Sequence, residues 1–229
     1  MTAEHPPIRT FHPRRGRMSA RHADAHAALW PVIGLTVSDG DREPLDLPEL
    51  FGRRAPVVLE IGSGMGDATA EMAAADPGRD YLAVEVHTAG VADLLGRVEA
   101  QGLTNVRVAT GDAMHLVAAQ LPPACLTAVH VFFPDPWPKS RHHKRRLIRP
   151  DRVALLRETL RPGGTLHCAT DEPDYAEAML EALRADPQLS TVYEGFAPRP
   201  SWRPVTLYER RAIAAGRTVF DLEFRRDAG

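Results

Sequence analysis

One stretch constrains this chain more than any other: Val57-Val58-Leu59-Glu60-Ile61 runs straight into Gly62-Ser63-Gly64-Met65-Gly66-Asp67. A short, nearly continuous apolar run ending in glycines has the form of a strand buried on both faces of a parallel sheet. A helix is expected over Asp67–Ala75, and the alternation then repeats. Tyr81–Val86 reads as a strand, residues 88–101 as a helix with Val91, Leu94, Leu95 and Val98 on one face, and Val106–Ala109 as a strand. Met114–Leu121, Leu126–Phe133, Pro150–Leu160, Thr165–Ala169 and Pro173–Arg184 continue as helix, strand, helix, strand and helix. Val219–Phe224 alternates in polarity and is expected to close the sheet as an antiparallel strand. The succession specifies an α/β fold with a doubly wound sheet and helices on both faces. Ligands of such sheets sit beyond the carboxyl ends of the strands, so chemistry is expected after Ile61, Val86, Ala109, Phe133 and Ala169.

Ahead of that body, residues 1–30 read as a basic arm without apolar periodicity, Asp39–Arg42 as a turn cluster and Leu45–Phe51 as a short helix. Residues 31–229 then form a single domain. The net charge of −2 is unevenly spread: residues 1–30 carry +3 and residues 139–149 carry +6, which leaves −11 for the rest. An acidic body with two concentrated basic patches is expected of a protein that grips a polyanion locally. No credible membrane span or signal-peptide core is present. Cys125 and Cys168 stand far apart, which suggests a reducing, cytoplasmic setting rather than a disulfide framework or a cysteine zinc site.

Alternate glycines at 62, 64 and 66 admit a ligand against bare peptide. A dinucleotide fingerprint needs its third glycine where Asp67 stands, and a phosphate loop needs Lys followed by Ser or Thr. Glu60 and Asp67 flank the loop instead and favour a ligand with positive charge. Glu85, near the end of the second strand, can accept hydrogen bonds from both hydroxyls of a ribose, or serve as a helix-capping acid. Asp112, in Gly111-Asp112-Ala113, can accept from an adenine amino group or cap the helix that follows.

Together with Leu160-Arg161-Pro162-Gly163-Gly164, these segments resemble class I S-adenosylmethionine-dependent methyltransferases. The resemblance implies a mostly parallel, seven-stranded sheet and S-adenosyl-L-methionine as cofactor, its methionine end over the glycines, its ribose on Glu85 and its adenine beside Asp112. The fourth strand ends in Phe132-Phe133-Pro134-Asp135-Pro136-Trp137-Pro138-Lys139, where prolines stiffen the turn that aims Asp135. Trp137 is expected in the core, although it could stack on a base. Adjacent His142 and His143 have no carboxylate or cysteine at ligand spacing, so no metal is expected.

The string from Pro134 through Arg146 closely resembles the tRNA (guanine-N7)-methyltransferase family, as do Thr206-Leu207-Tyr208-Glu209-Arg210 and Val219–Leu222. Ser140 and Leu207 depart from it, each standing where the family commonly has lysine. The resemblance implies methylation of guanine N7 in tRNA at position 46 of the variable loop. It places cofactor contacts at Glu60, Glu85, Asp112 and Asp135, beside the class I glycines Gly62, Gly64 and Gly66; Asp135 is the catalytic candidate, since a purine that becomes cationic needs orientation and nearby negative potential. Substrate contacts fall at Lys139, Asp171, Thr206, Tyr208 and Glu209, and RNA contacts at Arg141, His142, His143, Lys144, Arg145 and Arg146. Asp171 or Glu209 could accept from the Watson–Crick edge of guanine, with Thr206 assisting; Asp171 could equally cap the helix after Pro173. A monomer or homodimer without an obligate protein partner is expected. The rivals are a methyltransferase of another acceptor and a non-catalytic RNA-binding protein on the same fold. The basic string opposes a small-molecule acceptor, and the missing Pro-Pro opposes an amine.

Overall fold

The computed structural model describes residues 10–11, 20–38 and 43–228. Eight strands form one sheet in the order β1-β4-β3-β2-β5-β6-β8-β7. They are β1 (Gly34–Thr36), β2 (Val57–Ile61), β3 (Asp80–Glu85), β4 (Val106–Thr110), β5 (Leu126–Phe132), β6 (Leu160–Thr170), β7 (Leu189–Ser190) and β8 (Phe220–Arg226). All pairings from β1 across to β6 are parallel; β8 runs antiparallel to both β6 and β7. The helices are α1 (Ala20–Ile33), α2 (Leu47–Phe51), α3 (Asp67–Ala75), α4 (Thr88–Gln101), α5 (Ala113–Ala119), α6 (Pro150–Thr159), α7 (Pro173–Arg184) and α8 (Leu207–Ala214), with a 3-10 helix at Ser140–Arg145.

Every residue of β2 is buried, as a strand covered on both faces requires. Alternate side chains of the central strands enter two separate cores. Leu59, Leu82, Val84, Val129 and Val131 pack with α5, α6 and α7, whereas Val58, Tyr81, Ala83 and Ala128 pack with α3, α4 and Ile33 of α1. The doubly wound sheet is as expected, with eight strands rather than seven. Two of the eight are only two or three residues long, too short for an alternation pattern to register.

The expectation that residues 1–30 lack regular structure fails from Ala20 onward. There α1 forms despite Pro31 and packs on the core through Leu29, Trp30 and Ile33. Thr10 and Phe11 are the other described residues of that arm, and the turn at Asp39–Arg42 falls outside the described residues. β6 begins at Leu160, five residues before the expected start, because Leu126 already pairs with Leu160 ahead of a register shift.

The strand order reverses beside β2, which is flanked by β3 on one side and β5 on the other. That switch point leaves a crevice at the carboxyl ends of β2 and β5.

Candidate active site

The crevice holds a cavity lined by Gly62, Gly64, Glu85, Phe133, Asp135 and Tyr208, with Thr10 and Phe11 completing its wall. Gly62 has φ +77°, and a Cβ built on it would meet nothing within 4 Å, so the loop leaves open space at the cavity floor. The first turn of α4 closes on the same loop: a Cβ on Gly90 would fall 2.1 Å from the Gly64 carbonyl oxygen. Gly66 serves packing and does not line the cavity; its φ is +75°, and a Cβ there would meet Leu94 at 2.5 Å.

Glu85 is 4% exposed and fixes this geometry. One carboxylate oxygen accepts from the Gly64 N–H at 2.7 Å, the other from the N–H groups of Val86 (2.7 Å) and His87 (2.8 Å). It therefore braces the loop and the start of α4 while still lining the cavity. Glu60 lies in an adjoining cleft with Ser63, Ala68 and Thr206. Its carboxyl group accepts from the Thr69 hydroxyl at 2.5 Å. Burial pushes its pKa up to about 7; the Thr69 bond opposes that rise and the charge of Glu85 adds to it. Asp67 is ion-paired with Arg97 at 2.5 Å and so is already neutralised within the fold. Asp112 caps α5, accepting from the Met114 N–H at 2.9 Å. Its neighbours Gly111 and Ala113 line the cavity, and the capping bond uses one of its two carboxylate oxygens.

Among the described residues that line the cavity there are two carboxylates and no lysine or arginine. This donor set suits a cationic, phosphate-free nucleoside such as S-adenosylmethionine and opposes a dinucleotide.

The turn after β5 is held by unusual backbone. Phe133 and Trp137 have φ of +51° and +47°, the left-handed region that non-glycine residues rarely adopt. Each costs about 1–3 kcal/mol, a penalty the surrounding packing must offset. Trp137 is buried, donates its indole N–H to the Thr10 carbonyl at 3.0 Å and carries the Arg145 guanidinium over its ring at 4.8 Å. Core packing is thus its role. Asp135, between the two strained residues, is directed to the cavity.

The basic run divides into two parts. Lys139, just before the 3-10 helix, and Arg141 and Lys144 along it are exposed, and Arg145 is half-buried against Trp137. His142 meets Trp137 edge-on, and His143 lies 3.8 Å from Asp174. Arg146 departs from the expected RNA contact: it is 4% exposed, donates to the Pro136 carbonyl at 2.9 Å and pairs with Asp174.

On the acceptor side, Tyr208 is half-exposed and lies parallel to Phe133, with ring centroids 6.3 Å apart. Thr206 caps α8 by accepting from the Glu209 N–H at 3.1 Å. Glu209 does not face the cavity. It is buried, with its oxygens taken by Arg203 at 2.6 Å and Arg199 at 2.7 Å, so it offers no free edge to a base. Asp171 pairs with Arg217 at 2.7 Å, stands outside the cavity lining and does not cap α7, whose cap is Glu172. Arg203, Phe11 and Gly90 escaped the sequence reading. An isolated arginine, phenylalanine or helical glycine carries no spacing signal.

Among the described residues, no group of three or more His, Cys, Asp or Glu is arranged to hold a metal ion. None of their helices is long and apolar enough to cross a membrane.

Residues 54–222 match a family model described as "Putative methyltransferase". The chain is 53% identical over 221 residues to a tRNA (guanine-N(7)-)-methyltransferase of Streptomyces avermitilis, covering 96% of this chain and 75% of that one. It is 51% identical over 225 residues to the protein of the same name from Nitrosospira multiformis, covering 98% and 97%. Among solved structures, the 16S rRNA methyltransferase KamB superposes with a TM-score of 0.55 at 16% identity, over 83% of this chain and 98% of that one. That likeness speaks to the fold.

Proposed function

The chain belongs to the tRNA (guanine-N7)-methyltransferase family, and from that premise we infer how its own residues serve the reaction. It is an S-adenosylmethionine-dependent enzyme that methylates N7 of a guanine in tRNA. The observation that carries the reading is one juxtaposition: the cation-suited cavity at Glu85 and Asp135 opens beside the turn that leads directly into the exposed bases Lys139, Arg141 and Lys144.

S-adenosylmethionine, when bound, supplies an electrophilic methyl group on a positively charged sulfur. Gly62, Gly64 and Glu85 would hold it, with Glu60 beside its charged methionine end. Guanine N7 carries a free lone pair and no hydrogen, so the protein needs no general base at that atom. As the purine takes on positive charge, negative potential must already be in place near it. Asp135 supplies that potential, and its strained, proline-stiffened turn keeps the carboxylate from relaxing away.

Tyr208, parallel to Phe133 at the cavity wall, offers a flat apolar face for the acceptor base. Arg141 and Lys144 hold phosphates and orient the RNA without reading its sequence. A guanine at position 46 within folded tRNA must be exposed or flipped before this cavity reaches it. The enzyme acts on tRNA in the cytoplasm.

The test is transfer from tritiated cofactor to unmodified tRNA, followed by digestion. Label in 7-methylguanosine is the expected result. Label in another nucleoside, or none, overturns the reading.

A further inference from the structure

Arg203 is wholly buried and sits between two carboxylates. Its Nε and one terminal nitrogen each bond Asp221 on β8 at 2.9 Å, a bidentate pair. Its other terminal nitrogen bonds Glu209 on α8 at 2.6 Å, with a second contact to Glu209 at 3.3 Å. The free edges of both carboxylates are occupied as well. His167 lies 2.7 Å from Asp221, and Arg199 donates to Glu209 at 2.7 Å. The guanidinium also lies 5.6 Å and 6.0 Å from the ring centres of Phe132 and Phe133, where β5 enters the Asp135 turn. The preceding residue reinforces the anchor: Trp202 stacks on His130 at 4.8 Å and meets His167 edge-on at 5.2 Å.

One side chain thus joins three parts of the site: strand β8, the catalytic turn and the helix that carries Tyr208. The helix needs this tether, since its buried residues are only Glu209 and Ala212, with no apolar stripe to seat it. We propose that Arg203 is a positioning residue for the acceptor base: through Glu209 it fixes α8, and so holds Tyr208 over Phe133 at the cavity. The inference rests on the assignment of Tyr208 to the acceptor site. A lysine keeps the charge but not the planar fork, so it cannot hold both carboxylates in the same geometry.

A double-mutant cycle tests this with full-length protein and unmodified tRNA. Arg203→Lys should lower kcat roughly 10- to 100-fold, the cost of a misplaced base. The Kd for S-adenosylmethionine should stay within about twofold of wild type, because the side-chain hydrogen bonds of Arg203 go to Asp221 and Glu209 and not to Gly62, Gly64 or Glu85, the residues that would hold the cofactor. In a Tyr208→Ala background the same substitution should cost less than about threefold, because the group it positions is gone. Full additivity, a wild-type kcat for Arg203→Lys or a matching loss of cofactor affinity overturns the proposal. If Arg203→Lys does not fold, Glu209→Gln, which loosens the other end of the tether, must give the same pattern. Unchanged turnover in Tyr208→Ala alone overturns the acceptor-site assignment and this inference with it. Wild-type protein that labels no guanine N7 refutes the activity itself.

Discussion

Arg146 is buried against Asp174, its guanidinium paired with that carboxylate while its Nε donates to the Pro136 carbonyl. This cation of the basic run therefore ties the Asp135 turn to α7, and it also lies 4.7 Å from the ring centre of Tyr175. The pairing holds the Asp174 carboxyl below its ordinary range, chiefly through the hydrogen bond from Arg146. Arg146→Ala should destabilise the fold by about 2 kcal/mol, by removal of a buried, multiply bonded side chain. Arg141→Ala combined with Lys144→Ala should leave stability unchanged and reduce the salt slope of tRNA binding by about 1.5, since each phosphate contact contributes about 0.7–0.9. Urea denaturation and tRNA titrations at several salt concentrations check both. A stable Arg146→Ala protein with a reduced slope would return Arg146 to the RNA interface.

Glu60 makes stability and cofactor affinity respond to pH in opposite directions. With its pKa raised from 4.5 to about 7, the folded protein holds this proton more tightly than the unfolded chain does. Its stabilising contribution is complete below pH about 4.5 and is lost as the pH rises to about 7, a change of about 3 kcal/mol. Glu60→Gln should therefore be more stable than wild type at pH 8, with the difference gone near pH 4.5. A cationic cofactor prefers the ionised form, so wild-type affinity should weaken as pH falls through 7 while the glutamine variant binds weakly and evenly throughout. Chemical denaturation and calorimetric titration across that range measure the two effects. Equal stability of the two proteins at pH 8 contradicts the account.

These two cases show what the sequence could and could not reveal. β2 and its glycine loop were legible because a buried parallel strand has a composition of its own and the loop needs residues without side chains. The position of Asp135 and Glu85 at the cavity was legible because they stand at strand ends, where the fold opens its crevice. Arg146 and Glu209 looked like surface groups because a charged residue on a short segment carries no mark of burial; only tertiary partners such as Asp174 and Arg203 decide that. α8 went unseen for the same reason, since its anchor is an ion pair in place of an apolar face. α1 has an interior Pro31, which argues against a helix, and its packing on α4 overrides that signal.

Trp137 fastens the Thr10–Phe11 segment to the Asp135 turn through one hydrogen bond across 127 residues of sequence. Phe11 and Thr10 line the cavity proposed for the cofactor, so the bond supports part of its wall. Trp137→Phe keeps most of the ring packing but leaves the Thr10 carbonyl without that donor. It should lower stability by about 1 kcal/mol and weaken S-adenosylmethionine binding by a few fold. Phe11→Ala should weaken the cofactor similarly without affecting Trp137. Fluorescence titration of both variants provides the measurement, and wild-type affinity in both would remove the segment from the site.

Asp135 separates charge from position. Asp135→Asn keeps the size and hydrogen-bonding reach of the side chain and removes the negative charge proposed to face the purine. If electrostatic stabilisation is its role, single-turnover methyl transfer should fall about 100- to 1,000-fold, with tRNA affinity unchanged. Asp135→Glu keeps the charge but displaces it by one methylene. Phe133 and Trp137 lock the turn in left-handed backbone, so the chain cannot adjust to bring the longer acid into register. The glutamate variant should therefore recover only a small part of the loss. Full recovery would mean that the local potential suffices and the strained turn has no part in aiming it. Near-normal turnover by Asp135→Asn would leave the reaction dependent on proximity alone.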